Sequence, residues 1–187
     1  GTICGVCHLL PFDIAETNIS YYALCALMFS VGLSVGNDPQ TLKNFRSLNP
    51  RLVFLPIMTI LGTLAGSAAV SLILTHRSIT DCLAVGSGFG YYSLSSIFIT
   101  EYKGAELGTI ALLANISREI LTLLAAPLLV RWFGNLAPIS AGGATTMDTT
   151  LPIITRTAGQ QFVVVSIFHG FVVDFSVPFL VTLFCSI

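Results

Sequence analysis

The sequence has few charged residues. Of its 187 residues, 9% are Asp, Glu, Lys or Arg and 54% are hydrophobic, whereas soluble domains carry about 25% charged residues. So few charges cannot cover a water-facing surface, and we expect the lipid bilayer to surround most of the chain. The net charge of −1 also lacks the positive excess that a nucleic-acid partner requires.

Metal-site spacing is also missing. Cys4 and Cys7 form a C-x-x-C pair, but no second ligand pair follows at the spacing of a zinc site. The cysteines fall mostly in apolar segments, where cysteine behaves as a small apolar residue. We therefore expect no metal ion and no cofactor.

The N-terminal stretch lacks the length of a membrane helix. "GTICGVCHLLPF" (1–12) is shorter than the roughly 20 apolar residues that span a bilayer, and it has no basic region typical of a signal peptide. We interpret it as the end of an incomplete first helix. This predicts further N-terminal helices, lost by truncation or processing or supplied by a partner chain.

Four apolar runs are typical of membrane helices: 20–36, 52–75, 107–133 and 161–187. Pro127 and Pro178 lie within the last two runs, where membrane helices tolerate proline as a kink. We expect residues 1–80 to hold N-terminal transmembrane helices and residues 81–187 to form a transport core.

Two segments do not have the pattern of simple helices, 84–104 and 139–159. In each, a glycine cluster is followed by hydroxyl residues and then by a long helix. Gly88 precedes Ser95 by seven residues, as Gly142 precedes Thr149. The core therefore has the pattern of two weak repeats, 84–133 and 139–187.

Broken helices at matching positions of two repeats indicate the binding site of a transporter. Irregular backbone in a bilayer needs protein or a water-filled cavity to satisfy its polar groups. We predict an all-α polytopic transporter with two broken or re-entrant segments in an inverted repeat, which approach each other near the membrane midplane. The alternative is two bent helices packed through small residues.

Basic residues predict the orientation. Loop 37–51 carries Lys43, Arg46 and Arg51, so the positive-inside rule places it in the cytoplasm and the C-terminus outside. The rule does not decide whether the two broken segments cross the membrane or re-enter it, because both versions place five basic residues inside and two outside. We prefer the re-entrant version.

Five ionisable residues lie inside the predicted spans: Arg118, Glu119, Asp148, His169 and Asp174. The four that are normally charged would cost on the order of 10 kcal/mol in the membrane, which favours a functional role. Asn115, Arg118 and Glu119 share one face of helix 107–133. A structural alternative is an ion pair of Arg118 with Asp148 or Asp174, and His169 alone is more typical of a buried hydrogen-bonding residue.

Four motifs resemble the LysO-type lysine exporter family: "GSGFGYYSLSS" (86–96), "NISRE" (115–119), "GATTMDTTLPIITRTAG" (143–159) and "HGF" (169–171). "VGLSVGND" (31–38) is also similar. The resemblance covers essentially the whole chain. It implies a secondary carrier in the bacterial inner membrane that exports L-lysine by exchange for protons, and family members usually carry further N-terminal helices.

The candidate substrate- and ion-binding residues come from the broken segments and the two helices that follow them. They are Ser87, Gly88, Tyr91, Ser95, Asn115, Arg118, Glu119, Gly142, Thr145, Thr146, Asp148, Thr149, His169 and Asp174. Three acids against one arginine suit a cationic substrate or a proton, and half-helix N-termini near Gly88 and Gly142 suit a carboxylate. We expect Asp148 to face a central polar cavity and Glu119 to hold either a proton or lysine.

Other functions remain open. A sodium/proton antiporter would use the same broken helices and buried acids. A membrane subunit that needs a separate N-terminal chain, or a homodimer, would also fit. An intramembrane protease is disfavoured because the sequence has neither a G-x-S-G elbow nor a paired-aspartate motif, so we expect no enzyme activity.

Overall fold

The computed structural model describes residues 50–74 and 76–187, which belong to one unit spanning Asn44–Ile187. The predicted helix 20–36 and most of loop 37–51 lie outside the described residues. Within them every regular element is helical. The helices are α1 (Pro50–Val53), α2 (Leu55–Ser71), α3 (Ile79–Gly86), α4 (Tyr92–Lys103), α5 (Ala105–Phe133), α6 (Ala137–Gly142), α7 (Leu151–Ala158) and α8 (Val163–Ser186), with 3-10 turns at Gly143–Met147 and Gln160–Phe162.

Two of these helices are long and apolar enough to cross a membrane, Ala105–Phe133 and Gln160–Ser186. They confirm the predicted runs 107–133 and 161–187, and each contains its proline. The predicted helix 52–75 is shorter than expected, because α2 ends at Ser71. An all-helical unit with two such helices is the architecture expected of a helical membrane protein.

The first broken segment, α3 and α4, turns back on itself. Asp81 in the first turn of α3 pairs with Lys103 in the last turn of α4, with 3.8 Å between Oδ1 and Nζ. Arg77, just before α3, pairs with Glu106 at the start of α5. Both ends of this segment therefore lie together, and we call residues 79–103 the first hairpin.

The second broken segment, α6 and α7, also turns back. Ile139 at the start of this segment packs in one apolar cluster with Ile154 and Ala158 near its end, and with Val165 of α8. Partly buried residues from α1, the start of α2 and the end of α5 border the same cluster: Leu52, Leu55 and Val130. We call residues 137–158 the second hairpin.

The two hairpins open at opposite ends of α5. The ion pairs of the first hairpin lie at the start of α5, and the apolar cluster of the second hairpin lies at its end. Helix α8 runs the other way, because Val165 lies in that cluster while Cys185 is within electrostatic reach of Asp81 and Lys103. An inverted repeat would have this arrangement, although the repeat itself stays a prediction.

Candidate functional site

The tips of the two hairpins meet through their backbones. The N–H of Ala144 donates to the carbonyl oxygen of Phe89 at 2.9 Å. A Cβ atom on Gly143 would lie 2.2 Å from that oxygen, and one on Gly90 would lie 3.2 Å from the carbonyl oxygen of Gly142. Only residues without a side chain allow this approach. The two broken segments thus come together as the sequence predicts.

The first tip has an unusual backbone conformation at Phe89, whose φ is 46°. This left-handed region is uncommon for residues other than glycine, and for bulky ones it requires support from the surroundings. Phe89 is fully buried and the flanking Gly90 also has a positive φ. The support comes from α5, which lies against both tips.

Asn115 of α5 forms hydrogen bonds with backbone groups of the first tip. Its side-chain nitrogen donates to the carbonyl oxygens of Val85 at 3.1 Å and Ala111 at 2.9 Å, and its side-chain oxygen accepts the N–H of Gly90 at 2.8 Å. The Val85 carbonyl belongs to the end of α3, where helix carbonyls lack partners within the helix. Gly88 leaves room for this contact, because its Cβ would lie 2.5 Å from the Asn115 nitrogen.

Arg118 of α5 satisfies the second tip. Its Nε donates to the carbonyl oxygen of Ala141 at 2.8 Å, and one terminal nitrogen donates to that of Ser140 at 3.1 Å. These carbonyls are at the C-terminal end of α6, where the helix dipole favours a cation. The guanidinium also lies over the Phe89 ring, 5.9 Å from its centroid, so Arg118 contacts both tips.

The ion-pair alternative for Arg118 is therefore wrong. Among the described residues the ion pairs are Arg77–Glu106 and Lys103–Asp81, and Arg118 takes part in neither. The physical reason is that helix α6 ends at the tip. Its free carbonyls offer partial negative charge at hydrogen-bonding distance, and no carboxylate is needed to hold the guanidinium.

Threonine hydroxyls stabilise the backbone of the second tip. Thr145 donates to the carbonyl oxygen of Gly142 at 2.9 Å, and Thr150 donates to that of Thr145 at 3.0 Å. Thr146 Oγ1 lies 2.9 Å from the carbonyl oxygens of both Gly143 and Ser166. Each of these hydroxyls has a backbone partner, so their first role is to replace the hydrogen bonds that a regular helix would make.

The first hairpin shows the same use of hydroxyls on a smaller scale. Ser87 donates to the carbonyl oxygen of Leu83 at 2.6 Å, and Ser95 donates to that of Tyr91 at 2.8 Å. Both serines are fully buried. They stabilise the two ends of the break and leave the charged residues as the better candidates for contact with a ligand.

His169 is fully buried in a polar network. Its Nδ1 lies 3.2 Å from the hydroxyl of Thr146 and its Nε2 lies 2.9 Å from the hydroxyl of Thr59, which in turn donates to Ser140 at 3.1 Å. The network links α2, α6 and α8. Thr59 and Ser140 were not predicted as site residues. The one feature of the sequence that could have indicated Thr59 is its position as a polar residue at the centre of an apolar run.

The three candidate acids differ in their surroundings. Asp148 is exposed, and its carboxylate accepts the N–H of Thr149 at 2.5 Å and the Thr149 hydroxyl at 3.4 Å. Glu119 is partly buried and makes no hydrogen bond or ion pair within the described part of the chain. Asp174 is only 4% exposed, and its Oδ1 has no hydrogen-bond partner there.

Two of these acids interact electrostatically with Tyr91. The carboxyl groups of Asp148 and Asp174 are both within electrostatic reach of the Tyr91 hydroxyl and of each other. Tyr91 is partly buried and directly precedes α4. The structure thus places Tyr91, Asp148 and Asp174 within electrostatic reach of one another, whereas Asn115 and Arg118 are held by the tip backbones.

A cavity of about 810 Å³ reaches Asn115 and Arg118 from between α2, α3 and α5. Its lining is mostly apolar, with Thr63 and Ser67 of α2 among the polar groups. At the end where the first hairpin opens, the lining includes His76, Arg77 and Asp81. Ligand sites commonly have this combination of an apolar wall with a few placed polar groups.

The family model described as "Lysine exporter LysO" matches residues 1–185. The "Lysine exporter LysO" of Escherichia coli (strain K12) is 37% identical over 192 residues, which cover 98% of this chain and 63% of that protein. The "Putative lysine exporter" of Haemophilus influenzae (strain ATCC 51907 / DSM 11121 / KW20 / Rd) is 36% identical over 88% of this chain and 83% of its own length.

No solved structure matches the chain. The chain spans less than two thirds of the length of the Escherichia coli relative. The family model nevertheless covers it almost from end to end, and both relatives exceed 30% identity. The chain therefore belongs to the lysine exporter LysO family.

Proposed function

We propose that this chain forms the transport core of a secondary carrier that exports L-lysine across the bacterial inner membrane. The names of the two relatives support the substrate. The observation that carries the proposal is the hydrogen bond between Ala144 and Phe89, which joins two helix breaks at their tips. Paired breaks of this kind mark the binding site of membrane carriers.

The arrangement of the hairpins supports the re-entrant orientation. Arg131 ends α5 and Arg156 lies in the last turn of α7, at the end where the second hairpin opens; Arg77 and Lys103 lie at the other end. Together with the basic loop 37–51, the positive-inside rule makes the Arg131 end cytoplasmic. The first hairpin then enters from outside, the second from the cytoplasm, and the C-terminus lies outside.

This orientation can be tested by labelling single cysteines in intact cells with a membrane-impermeant thiol reagent. We expect labelling at Ser78 and Gly104 replaced by cysteine, and no labelling at Asn135 and Gln160 replaced by cysteine until the membrane is opened. Labelling at Ser78 and protection at Gly104 would contradict re-entry, because the first hairpin would then cross the membrane.

The charges near the tips support a cationic substrate. The positive charge of Arg118 is directed at helix carbonyls, so it does not neutralise Glu119, Asp148 or Asp174 within the described residues. Glu119 follows Arg118 directly and makes no ion pair there. We infer that Glu119 binds either a proton or lysine, and that this competition couples lysine efflux to proton entry.

Counterflow of labelled lysine into lysine-loaded vesicles that contain the full-length protein tests the function. We expect the wild-type protein to catalyse lysine counterflow. We expect Glu119→Gln to lose proton-driven lysine efflux. Glu101→Gln is the matched control, because Glu101 is exposed near the end of α4. Normal efflux with normal pH dependence in Glu119→Gln would refute its role. Cation flux that is independent of lysine would instead identify a sodium/proton antiporter.

We propose that transport also requires the membrane helices predicted N-terminal to the core. The same polypeptide, a separate chain or a second copy in a homodimer could supply them. Purification under mild detergent followed by mass determination distinguishes the three sources. Full lysine counterflow by residues 44–187 alone would contradict the requirement.

A further inference from the structure

We propose that Asp174 binds a coupling proton in addition to the one at Glu119, in a site that it forms with Tyr91 and Asp148 at the meeting point of the hairpins. This inference rests on the proposed function and adds a second acid to it. Asp174 lies in the middle of α8 and is 4% exposed, and its Oδ1 is buried without a hydrogen-bond partner in the described part of the chain.

Packing places Asp174 beside the second tip. Gly170, one turn earlier on α8, contacts the tip so closely that a Cβ atom there would lie 2.7 Å from the backbone nitrogen of Met147. Asp148 follows Met147 directly. The face of α8 that carries Gly170 and Asp174 is therefore directed at the end of the second tip and at Tyr91 of the first.

An ionised Asp174 carboxylate would have no positive charge or hydrogen-bond donor in the described part of the chain to offset its burial. A buried charge needs a partner of opposite sign or hydrogen-bond donors, and otherwise the group becomes neutral. The charged group that acts on Asp174 most directly is another acid, Asp148. Asp174 is almost fully buried, so we assign a proton as its ligand.

The other titratable groups around α8 do not offer Asp174 a positive charge. His169 is held by Thr146 and Thr59, and Arg118 is held by the carbonyls of α6. Towards the far end of α8, Cys185 lies near Lys103 and Asp81, which form their own ion pair, and α4 there carries the exposed Glu101. Arg156 of α7 is exposed at the opposite end. The titratable groups within electrostatic reach of Asp174 in the described part of the chain are thus Tyr91 and Asp148.

The same neighbours connect Asp174 with water. Asp148 is exposed and Tyr91 is partly buried. The proposed route of the proton therefore runs from water past Asp148 and Tyr91 to the Asp174 carboxylate, and back by the same groups. The step moves one proton onto one carboxylate oxygen and requires no other reactant.

Infrared difference spectroscopy tests protonation without reference to lysine. We expect the wild-type protein to show the carbonyl stretch of a buried protonated carboxyl, which shifts in D2O and titrates with pH. The component of the band that Asp174 contributes should be absent in Asp174→Asn and present in both Glu119→Gln and Glu101→Gln. A band that persists unchanged in Asp174→Asn, or no such band in the wild type at any pH, would overturn the assignment.

Transport separates coupling from substrate binding. In Asp174→Asn we expect the stimulation of lysine efflux by a pH gradient, measured relative to the rate of lysine counterflow, to fall by about tenfold or more, equal to about 1.4 kcal/mol of coupling, whereas Glu101→Gln should keep the wild-type ratio. Loss of counterflow together with coupling in folded protein would make Asp174 a substrate ligand or structural residue, and unchanged coupling would also overturn the proposal. Absence of lysine counterflow in the wild type would refute the lysine function, and the infrared result would still decide whether Asp174 binds a proton.

Discussion

The two hairpin tips are held by the same helix through different chemistry. The first tip presents a carbonyl and an N–H, and the amide of Asn115 matches both because it donates and accepts. The second tip presents two carbonyls from the end of α6, and Arg118, which only donates, matches those. The comparison shows that the hydrogen-bonding capacity of each side chain matches the backbone groups that its hairpin leaves unpaired.

Position along the predicted repeat sharpens this comparison. Gly88 and Gly142 are 142 − 88 = 54 residues apart, and Asn115 and His169 are 169 − 115 = 54 residues apart. Asn115 contacts the break of its own hairpin directly, whereas His169 reaches the second break through the hydroxyl of Thr146. In the predicted repeat Asn115 and His169 would thus hold corresponding positions, and each supports the break of its own hairpin although the residues are unlike.

The largest effect is expected from Gly143→Ala, which separates the tips. The new Cβ atom would lie 2.2 Å from the Phe89 carbonyl oxygen, and φ of 63° is already unfavourable for alanine. We expect the free energy of unfolding to fall by about 3 kcal/mol or more, from roughly 1–2 kcal/mol of backbone strain and 1–3 kcal/mol of overpacking. Chemical denaturation in detergent, with lysine counterflow, measures the change.

Gly104→Ala is the matched control for that substitution. Gly104 has φ of 92°, but a Cβ atom added there would have no atom within 4 Å. We expect only the strain of about 1–2 kcal/mol and nearly normal transport. Equal losses in the two variants would show that the backbone conformation, and not the contact between tips, accounts for the effect.

Arg118→Leu and Asn115→Leu should damage different hairpins. Each leaves buried backbone groups unpaired, at about 1–3 kcal/mol per group. Hydrogen exchange read by mass spectrometry should rise first in peptides of 137–150 for Arg118→Leu and in peptides of 83–95 for Asn115→Leu. Arg118→Lys should recover only part of the loss, because an ammonium cannot reproduce the planar fork of the guanidinium. Identical exchange patterns would contradict the division of roles.

Thr146→Val tests the hydroxyls of the second tip at nearly constant volume. The valine cannot bond the carbonyls of Gly143 and Ser166 or His169, and we expect a loss of about 1–3 kcal/mol in stability. Thr109→Val is the control, since the Thr109 hydroxyl is exposed and bonds only the Ala105 carbonyl within its own helix. A loss in Thr109→Val as large as that in Thr146→Val would remove the special role of the tip.

The smallest effect is expected at the outer end of the first hairpin. Glu106→Gln removes the ion pair between Glu106 and Arg77. The side chain of Arg77 is 32% exposed and that of Glu106 is 78% exposed. Exposed pairs contribute about 0–1 kcal/mol, so we expect little change in stability and none that persists at high salt. A loss comparable to that of Arg118→Leu would mean that the hairpin is held at its outer end.

Much of the fold could be predicted because it follows from composition and local pattern. The runs 107–133 and 161–187 are apolar over a full membrane span, and glycine with hydroxyl residues marked both breaks. The partner of Arg118 could not be predicted, because its acceptors exist only once α6 ends at the tip. The sequence also could not predict that Asp148 is exposed, because a residue in a helix break has no helical periodicity that assigns it to a face.

The sequence identified several polar residues of the candidate site, but it did not predict what each of them contacts. Asn115 and His169 were identified from their place on apolar helices, but the sequence does not show that their polar atoms are used by neighbouring backbone. Thr59 was overlooked because a threonine in an apolar run is ordinary without its partner His169. Partners distant along the chain depend on packing, which local pattern does not encode.

The bond between Ala144 and Phe89 has a consequence for how this family is studied. Both of its atoms belong to the main chain, so replacing either side chain leaves the donor and the acceptor in place. An alanine scan is silent at position 144, and substitution patterns among relatives carry no direct trace of the pairing. The contact becomes visible genetically only through the glycine beside it, or chemically through an ester in place of the amide at Ala144.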